Sequence, residues 1–418
     1  MIRVAIIGCG GRGARTYGTL MHDNFADRYT LAALCDINVS LLNHHGERLG
    51  VAPENRFSDE KTFFEKKRAD LLIVATQDRD HARMVIRGLE LGYDILVEKP
   101  LTTDRDECAR MLAAQKKTGG KVIVCHVLRY QPAFRKVAEL LKEGRIGTLM
   151  AIDHMEQVWY AHYCHSFVRG SWRNSEETSP MILAKCCHDL DILYYYAGAK
   201  CTGVSSIGEL SYFNRDNAPE GCADRCIDCK YMDSCDFSAK RIYQDFWHMN
   251  HGDFVFTRIA TYPNEMTDET ITQMLRTSPY GRCVFGCDNN VVDHQQVLMR
   301  FENGVHVTLS MIGATADGGR IMRLHGTKGE IVLNEEQGFV LLKTFRDERI
   351  TWNTDDLIKD MPGGHNGGDY GLVKDLHGML TGEIPLQSSL EDTVESHLMG
   401  IAAEKSRLLG GVMLDPHA

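Results

Sequence analysis

The sequence predicts an α/β protein whose N-terminal half is a Rossmann-type, doubly wound parallel sheet. Two observations predict it. Strand and helix patterns alternate from residue 2 to about residue 125, as repeated βαβ units require. A G-x-G-x-x-G turn (Gly8, Gly10, Gly13) stands directly between the first strand and the first helix. The second half is rich in strands, and Asn303-Gly304 between two β-rich runs is a strong hairpin signal.

Residues 2–7 (IRVAII) form the first strand, and the glycine turn leads into a helix to about Met21. Gly8 permits the tight turn, Gly10 lets backbone approach a pyrophosphate, and Gly13 allows close helix–strand packing. The free N–H groups at the helix start complete a dinucleotide site over Gly8, Cys9, Gly10, Gly11, Arg12 and Gly13. The next strand, residues 30–35, ends in Asp36, placed to accept hydrogen bonds from an adenosine ribose and to repel a 2′-phosphate. This favours NAD over NADP. A helix over 39–49 and a strand over 70–75 follow, so that Ala75, Thr76 and Gln77 lie on the nicotinamide side, with His81 opening the helix to Glu90. The strand over 94–97 ends in Glu98-Lys99-Pro100. It is an apolar run of the kind buried on both faces of a parallel sheet, and ligands collect beyond the carboxyl ends of such strands. Pro100 disfavours the helical region for Lys99, which keeps the chain extended while the ammonium projects from the sheet edge. Glu98 and Lys99 complete the expected cofactor contacts. A helix over 104–117 and a strand over 121–125 close this half.

Composition narrows the function classes. At 418 residues the chain exceeds the ~250–300 residues at which single cores stop growing, so two domains are expected, 1–127 and 128–418. The net charge of −10 and the lack of Lys/Arg runs argue against a nucleic-acid binder. No stretch approaches ~18 uninterrupted apolar residues, and a strand opening at residue 2 leaves no room for a leader, so a cytoplasmic protein is expected. The 14 cysteines are then expected as reduced thiols or metal ligands.

The combination GCGGRG at 8–13, VATQDRDH at 74–81 and LVEKPL at 96–101 resembles the Gfo/Idh/MocA family of nicotinamide-dependent sugar oxidoreductases. Arg129-Tyr130-Gln131-Pro132 and the helix after it look like that family's crossover into its second domain. The resemblance implies a C-terminal α+β domain with an open, mostly antiparallel sheet that faces the nicotinamide and often forms homo-oligomer contacts, in a dimer or tetramer. It also implies a carbohydrate-metabolising sugar or polyol dehydrogenase.

The second half fits that implication. Strands are expected over 149–158, 296–301, 305–312, 321–326, 330–334 and 339–344, with helices over 366–380 and 391–409. Residues 179–198 read as one helix from about Leu183, with Lys185 and His188 on nearly one face. His188-Asp-Leu-Asp191 matches the family's H-x-x-D, whose histidine is the usual acid/base, a task suited by its ordinary pKa. Lys99 would stabilise the forming alkoxide. Where many family members carry an aspartate one turn earlier, this chain has Ala184 beside Lys185. Either Lys185 takes over substrate hydrogen bonding, or the histidine pKa is set otherwise. His162, His165, Arg169 and Trp172, together with Asp191, are candidate substrate contacts, aromatic faces and hydrogen-bonding groups being what a polyol needs. The glycine-rich loop at 363–369 could bring His365 to the substrate.

Cys222-x3-Cys226-x2-Cys229-x5-Cys235, in an insertion at about 218–240, has the look of a tetrahedral thiolate site for a structural zinc. Two other activities share the main features. One is redox-neutral glycoside cleavage by oxidation and elimination with bound NAD; the other is a non-catalytic dinucleotide sensor.

Overall fold

The computed structural model describes residues 1–418 apart from Pro263 and Asp360. Its first sheet has six parallel strands: β1 (Ile2–Ile7), β2 (Tyr29–Cys35), β3 (Arg56–Phe57), β4 (Leu71–Val74), β5 (Asp94–Val97) and β6 (Val122–Val124). They lie in the order β3-β2-β1-β4-β5-β6. This is the doubly wound arrangement whose order reverses between β1 and β4, which opens a ligand crevice beyond their carboxyl ends. Strand side chains alternate between faces. Val4 and Ile6 enter one core with Leu71, Ile73 and Leu96, while Ala5 and Ile7 enter the other with Leu72, Val74 and Val97.

The second sheet has eight strands: β7 (Leu149–Trp159), β8 (Cys201–Glu209), β9 (His294–Phe301), β10 (His306–Thr315), β11 (Gly319–Gly326), β12 (Gly329–Asn334), β13 (Phe339–Thr344) and β14 (Arg349–Asn353). The order is β14-β13-β12-β11-β7-β10-β9-β8, antiparallel throughout except for the β7–β10 pair. The expected hairpin is β9–β10, with Gly304 at φ +85° supplying the turn. Along β7 the even-numbered residues from Ile152 to Val158 are buried and the odd ones face outward, one covered face and one open.

The two C-terminal helices tie the halves together. In the Gly368–Thr381 helix, Leu372, Val373, Leu376 and Met379 pack under the first sheet against Val4, Ile6 and Tyr130. In the Leu390–Leu408 helix, Leu390, Val394 and Leu398 join the sheet's other core, while Met399, Ala402 and Ala403 join the core of the second sheet. The single helix expected from Leu183 is two: Met181–Ala184, then Cys187–Ala197 after a break at Lys185 and Cys186. No helix among the described residues is long and apolar enough to cross a membrane.

Candidate active site

The glycine turn is crowded on one side and open on the other. Gly8 sits at φ +91°, and a Cβ there would stand 2.3 Å from the Ala75 carbonyl oxygen; one on Gly13 would stand 1.9 Å from that of Gly8. Both glycines are therefore required by the fold itself. A Cβ on Gly10 or Gly11 would meet nothing within 4 Å, so backbone there is exposed to a ligand. Asp36 lies beside this cradle, one carboxylate oxygen accepting from Cys9 N at 2.7 Å and the other from Asn38 N at 2.8 Å. The Cys9 side chain is buried, which leaves only its backbone to a ligand. These residues fit a dinucleotide: the glycines leave room where phosphate would lie, and an acidic group stands at the next strand end. Ala75, Thr76 and Gln77 follow the end of β4, the first two half-buried and Gln77 exposed.

Three expected cofactor contacts belong to the frame instead. Arg12 donates from Nε to Glu98 at 2.7 Å and from Nη2 to Asp369 at 2.7 Å. Glu98 is only 4% exposed; it also accepts from the Tyr17 hydroxyl at 2.7 Å and from Lys99 N at 3.0 Å. Burial works to raise its pKa, but Arg12 and Lys99 outweigh that and hold it below the ordinary value. The buried His81 ring faces the carbonyls of Pro100 at 2.8 Å and Thr76 at 3.3 Å, which pins the end of β4 to the segment after Lys99. The side chains of Arg12, Glu98 and His81 are thus committed within the protein.

Lys99 and His188 come together at the carboxyl edge of the first sheet. The Lys99–Pro100 bond is cis, and Lys99 Nζ donates to the Ala184 carbonyl at 3.0 Å. At Ala184, where the resemblance implies an aspartate in many relatives, this chain presents its backbone oxygen to the lysine. His188 is 5% exposed, and its Nδ1 has no hydrogen-bond partner among the described residues. Burial first, then the Lys99 ammonium, His126, His365 and Arg320, push its pKa far below the ordinary value, so the ring is neutral near pH 7. Its neighbours are His126 and His365, with ring centroids at 5.8 and 6.1 Å. His365 contacts Asp369 at 3.0 Å and, with Asn366, holds a left-handed φ (51° and 49°), a strained conformation of the kind that collects at functional sites.

Lys185, at the helix break, pairs with buried Glu156 at 3.0 Å; Glu156 shares Arg320 with Asp189, which also contacts His154 at 2.7 Å. The break removes the one-face relation expected for Lys185 and His188; the lysine is placed by β7 instead.

Only part of the expected substrate set meets this edge. His162 is half-buried with its ring stacked on Phe256 at 5.4 Å; burial first, then the charges of Lys185, His165, Lys99 and His365, keep it neutral. His165 does not reach the edge, being stacked between Phe256 and Tyr280 at 4.6 and 4.8 Å, with Nδ1 on the Tyr243 hydroxyl. Arg169 is fully buried beneath the cysteine insertion. Asp191, 0% exposed, forms a bidentate pair with Arg129 at 2.7 and 2.8 Å and can contact no substrate. Trp172 donates its indole N–H to Asp78 at 3.2 Å, which leaves only a half-buried ring face.

His126 is the residue that sequence reasoning passed over. Among the described residues neither of its buried ring nitrogens has a hydrogen-bond partner, and it lies between His188 and His397, 5.9 Å from the latter. Its position just past the end of β6 was signal enough, by the strand-end rule applied to Lys99. Cys222, Cys226, Cys229 and Cys235 line one small cavity, although no three metal-ligating side chains among the described residues stand in coordinating geometry.

Comparison with known proteins agrees with this architecture. The family described as "Oxidoreductase family, NAD-binding Rossmann fold" matches residues 2–126, and its counterpart, "Oxidoreductase family, C-terminal alpha/beta domain", matches residues 138–411. YteT of Bacillus subtilis strain 168, named as an oxidoreductase, is 24% identical over 396 residues, covering 90% of this chain and 88% of its own. Inositol 2-dehydrogenase 2 of Saccharopolyspora erythraea is 25% identical over 205 residues, 47% of this chain and 54% of its own. Among solved structures, levoglucosan dehydrogenase in complex with NADH and levoglucosan aligns over 100% of both chains with a TM-score of 0.72 at 18% identity. An Agrobacterium radiobacter oxidoreductase in complex with NAD+, L-tartaric acid and magnesium aligns over 100% of this chain and 98% of its own, with a TM-score of 0.70 at 13% identity. These structural likenesses establish a shared fold.

Proposed function

The chain belongs to the Gfo/Idh/MocA oxidoreductase family, and on that premise we propose that it oxidises a hydroxyl of a sugar, polyol or glycoside in an NAD-dependent reaction. The observation that carries the reading is the Lys99 ammonium, held on the Ala184 carbonyl, within electrostatic reach of a buried, neutral histidine, His188, whose Nδ1 has no hydrogen-bond partner among the described residues.

Backbone of residues 8–13 would hold the pyrophosphate, and Asp36 the adenosine ribose, its charge disfavouring the 2′-phosphate of NADP. When bound, NAD supplies the hydride acceptor. The protein's own residues do the rest. His188 accepts the proton of the substrate hydroxyl at a ring nitrogen. Lys99 commits one of its three N–H donors to Ala184 and keeps two for the substrate oxygen, a fixed positive charge where negative charge develops. Lys185, steadied by Glu156, and His162 and His365 orient further hydroxyls. Met155, Ile207 and Leu298, exposed on the outward face of the second sheet, would meet a second copy of the chain.

The test is a panel of sugars, polyols and aryl glycosides with NAD, followed for NADH absorbance and released aglycone. Stoichiometric NADH with one carbohydrate class is expected; aglycone release without net NADH would replace the reading by redox-neutral cleavage. His188→Ala and Lys99→Met should each lower kcat by ~10²–10⁴-fold, the span of positioned acid–base catalysis, with NAD affinity retained in His188→Ala. Unchanged turnover in both would remove the two residues from these roles, and no turnover with any carbohydrate while NAD stays bound would leave only a sensor.

A further inference from the structure

The cysteine insertion carries chemistry that hydride transfer does not use. It has little regular structure beyond short 3-10 turns such as Arg215–Asn217 and Cys226–Asp228. It is attached to the body by an antiparallel bridge between Arg225 and Arg282, where Cys283 N donates to the Asp224 carbonyl at 2.8 Å. This attachment gathers Cys222, Cys226, Cys229, Cys235 and Cys283 around one cavity of about 20 Å³, walled by Phe237.

Arg169 beneath it decides what the cavity is for. The residue is 0% exposed. Its guanidinium donates to the Arg282 carbonyl at 2.7 Å, to the Phe237 carbonyl at 2.8 Å and to Cys226 Sγ at 3.5 Å, while Nη1 is buried with no partner among the described residues. Among the described residues no carboxylate reaches it. A buried cation without a counter-charge costs several kcal/mol on the usual scale, roughly what a whole domain can spare. The neighbouring arginines offer no relief: Arg173 and Arg282 share Asp288, and Arg225 donates to the Leu275 and Ser278 carbonyls. Within the protein, sulfur is what can supply negative charge to Arg169: on its other side it lines an open cavity of about 350 Å³ with Arg173, Arg225 and Arg282, which bring none.

We propose that Cys222, Cys226, Cys229 and Cys235 bind one thiophilic divalent cation, zinc, with Arg169 as the counter-cation through its N–H···S contact to Cys226. Each of the four thiols gives up one proton on binding, so Zn2+ and four thiolates form a unit of charge −2, which Arg169 partly neutralises. Zinc takes four sulfurs tetrahedrally at about 2.3 Å. A cavity of about 20 Å³ has room for one water-sized sphere, which suits a single ion. The thiols do not converge as they stand, so binding turns the side chains onto the cavity to which the backbone has already brought them. A polar segment with so little core of its own would be ordered by that ion.

The experiment uses the full chain purified without chelator or added metal. Native mass spectrometry and elemental analysis should find roughly one zinc per chain, and the Cys226→Ser/Cys229→Ser double variant should lose it at least ~10-fold, while Cys108→Ser, a thiol in the first domain, should retain it. Arg169→Met should weaken zinc affinity by ~10–100-fold in a chelator competition, as loss of an outer-shell partner does. If the double variant does not fold, the wild-type chain decides alone. Less than a tenth of a zinc after equilibration with micromolar zinc, disulfides among the four cysteines, or iron with acid-labile sulfide would each overturn the proposal.

Discussion

Two clusters of buried polar groups meet at the carboxyl edge of the first sheet, and they treat polarity in opposite ways. In the Arg12–Glu98–Asp369–Tyr17 cluster each charge has an opposite partner, at distances of 2.7 to 3.1 Å. In the His188–His126 cluster three ring nitrogens are buried without a partner among the described residues. A fully paired network holds one geometry and resists rearrangement. A buried polar atom without a partner is tolerated where a ligand or a moving proton supplies what the protein does not. The first cluster is a frame, and the second is where chemistry is expected.

The largest effect should come from breaking the frame. Asp369→Leu takes the bidentate partner from an Arg12 guanidinium that is 30% exposed and still holds Glu98, and it should destabilise the chain by ~2–3 kcal/mol in urea unfolding, below the cost of orphaning a fully buried charge. Asp191→Leu should behave alike through Arg129. Losses below ~1 kcal/mol in both would show that these pairs frame nothing, and the contrast would collapse.

A change of pH separates the clusters next. His165 and His397 are held neutral, each pushed down to about 3 mainly by burial. Their folded pKa lies below the unfolded value near 6.5, so the unfolded chain takes up protons first as pH falls. The stability they contribute is complete above ~6.5 and is lost toward pH 3, by up to ~1.4 kcal/mol per pH unit per histidine. Acid unfolding midpoints that do not move between pH 6.5 and 4 would contradict this. Activity should respond differently. Because the neutral form of His188 is the base, and its pKa lies far below the ordinary value, kcat/KM should stay level from pH 7 down through 6.5 and fall only beyond. An acid limb at or above 6.5 would remove His188 from the role.

The frame was less legible in the sequence than the fold. β1, β4 and β5 lie within a residue of where their apolar runs place them, because a parallel strand buried on both faces advertises itself locally. The glycine turn advertises itself for the same reason: Gly8 and Gly13 are dictated by atoms only a few residues or one strand away. The errors fall where partners are distant. Asp191, next to the candidate catalytic histidine, reads as a substrate ligand until Arg129 is seen across from it, and Arg169 reads as a sugar contact until the insertion folds over it. Glu98 adjoins Lys99 in sequence, yet its side chain enters the Arg12 network while the lysine points to Ala184. The break at Lys185 has no proline or glycine to announce it; tertiary contacts of Lys185 with Glu156 and of Ala184 with Lys99 set it.

The smallest effect on stability tests the other side of the contrast. His126 is 0% exposed and, among the described residues, has no hydrogen bond to lose at either nitrogen; Asp191, 3.9 Å from Nε2, is already held by Arg129. Replacing it by leucine removes two desolvated polar atoms from an interior that does not satisfy them, at the cost of an imperfect fit. The two terms oppose each other, and the net change should stay within ~1.5 kcal/mol of zero. Turnover should fall nonetheless, because His126 is the ring against which His188 rests and one of the groups that keep it neutral. A stable but slowed His126→Leu, beside an unstable Asp369→Leu, would separate frame from chemistry within one strand edge. A His126→Leu chain as unstable as Asp369→Leu would mean that the histidine is part of the frame after all, with its partners supplied by water.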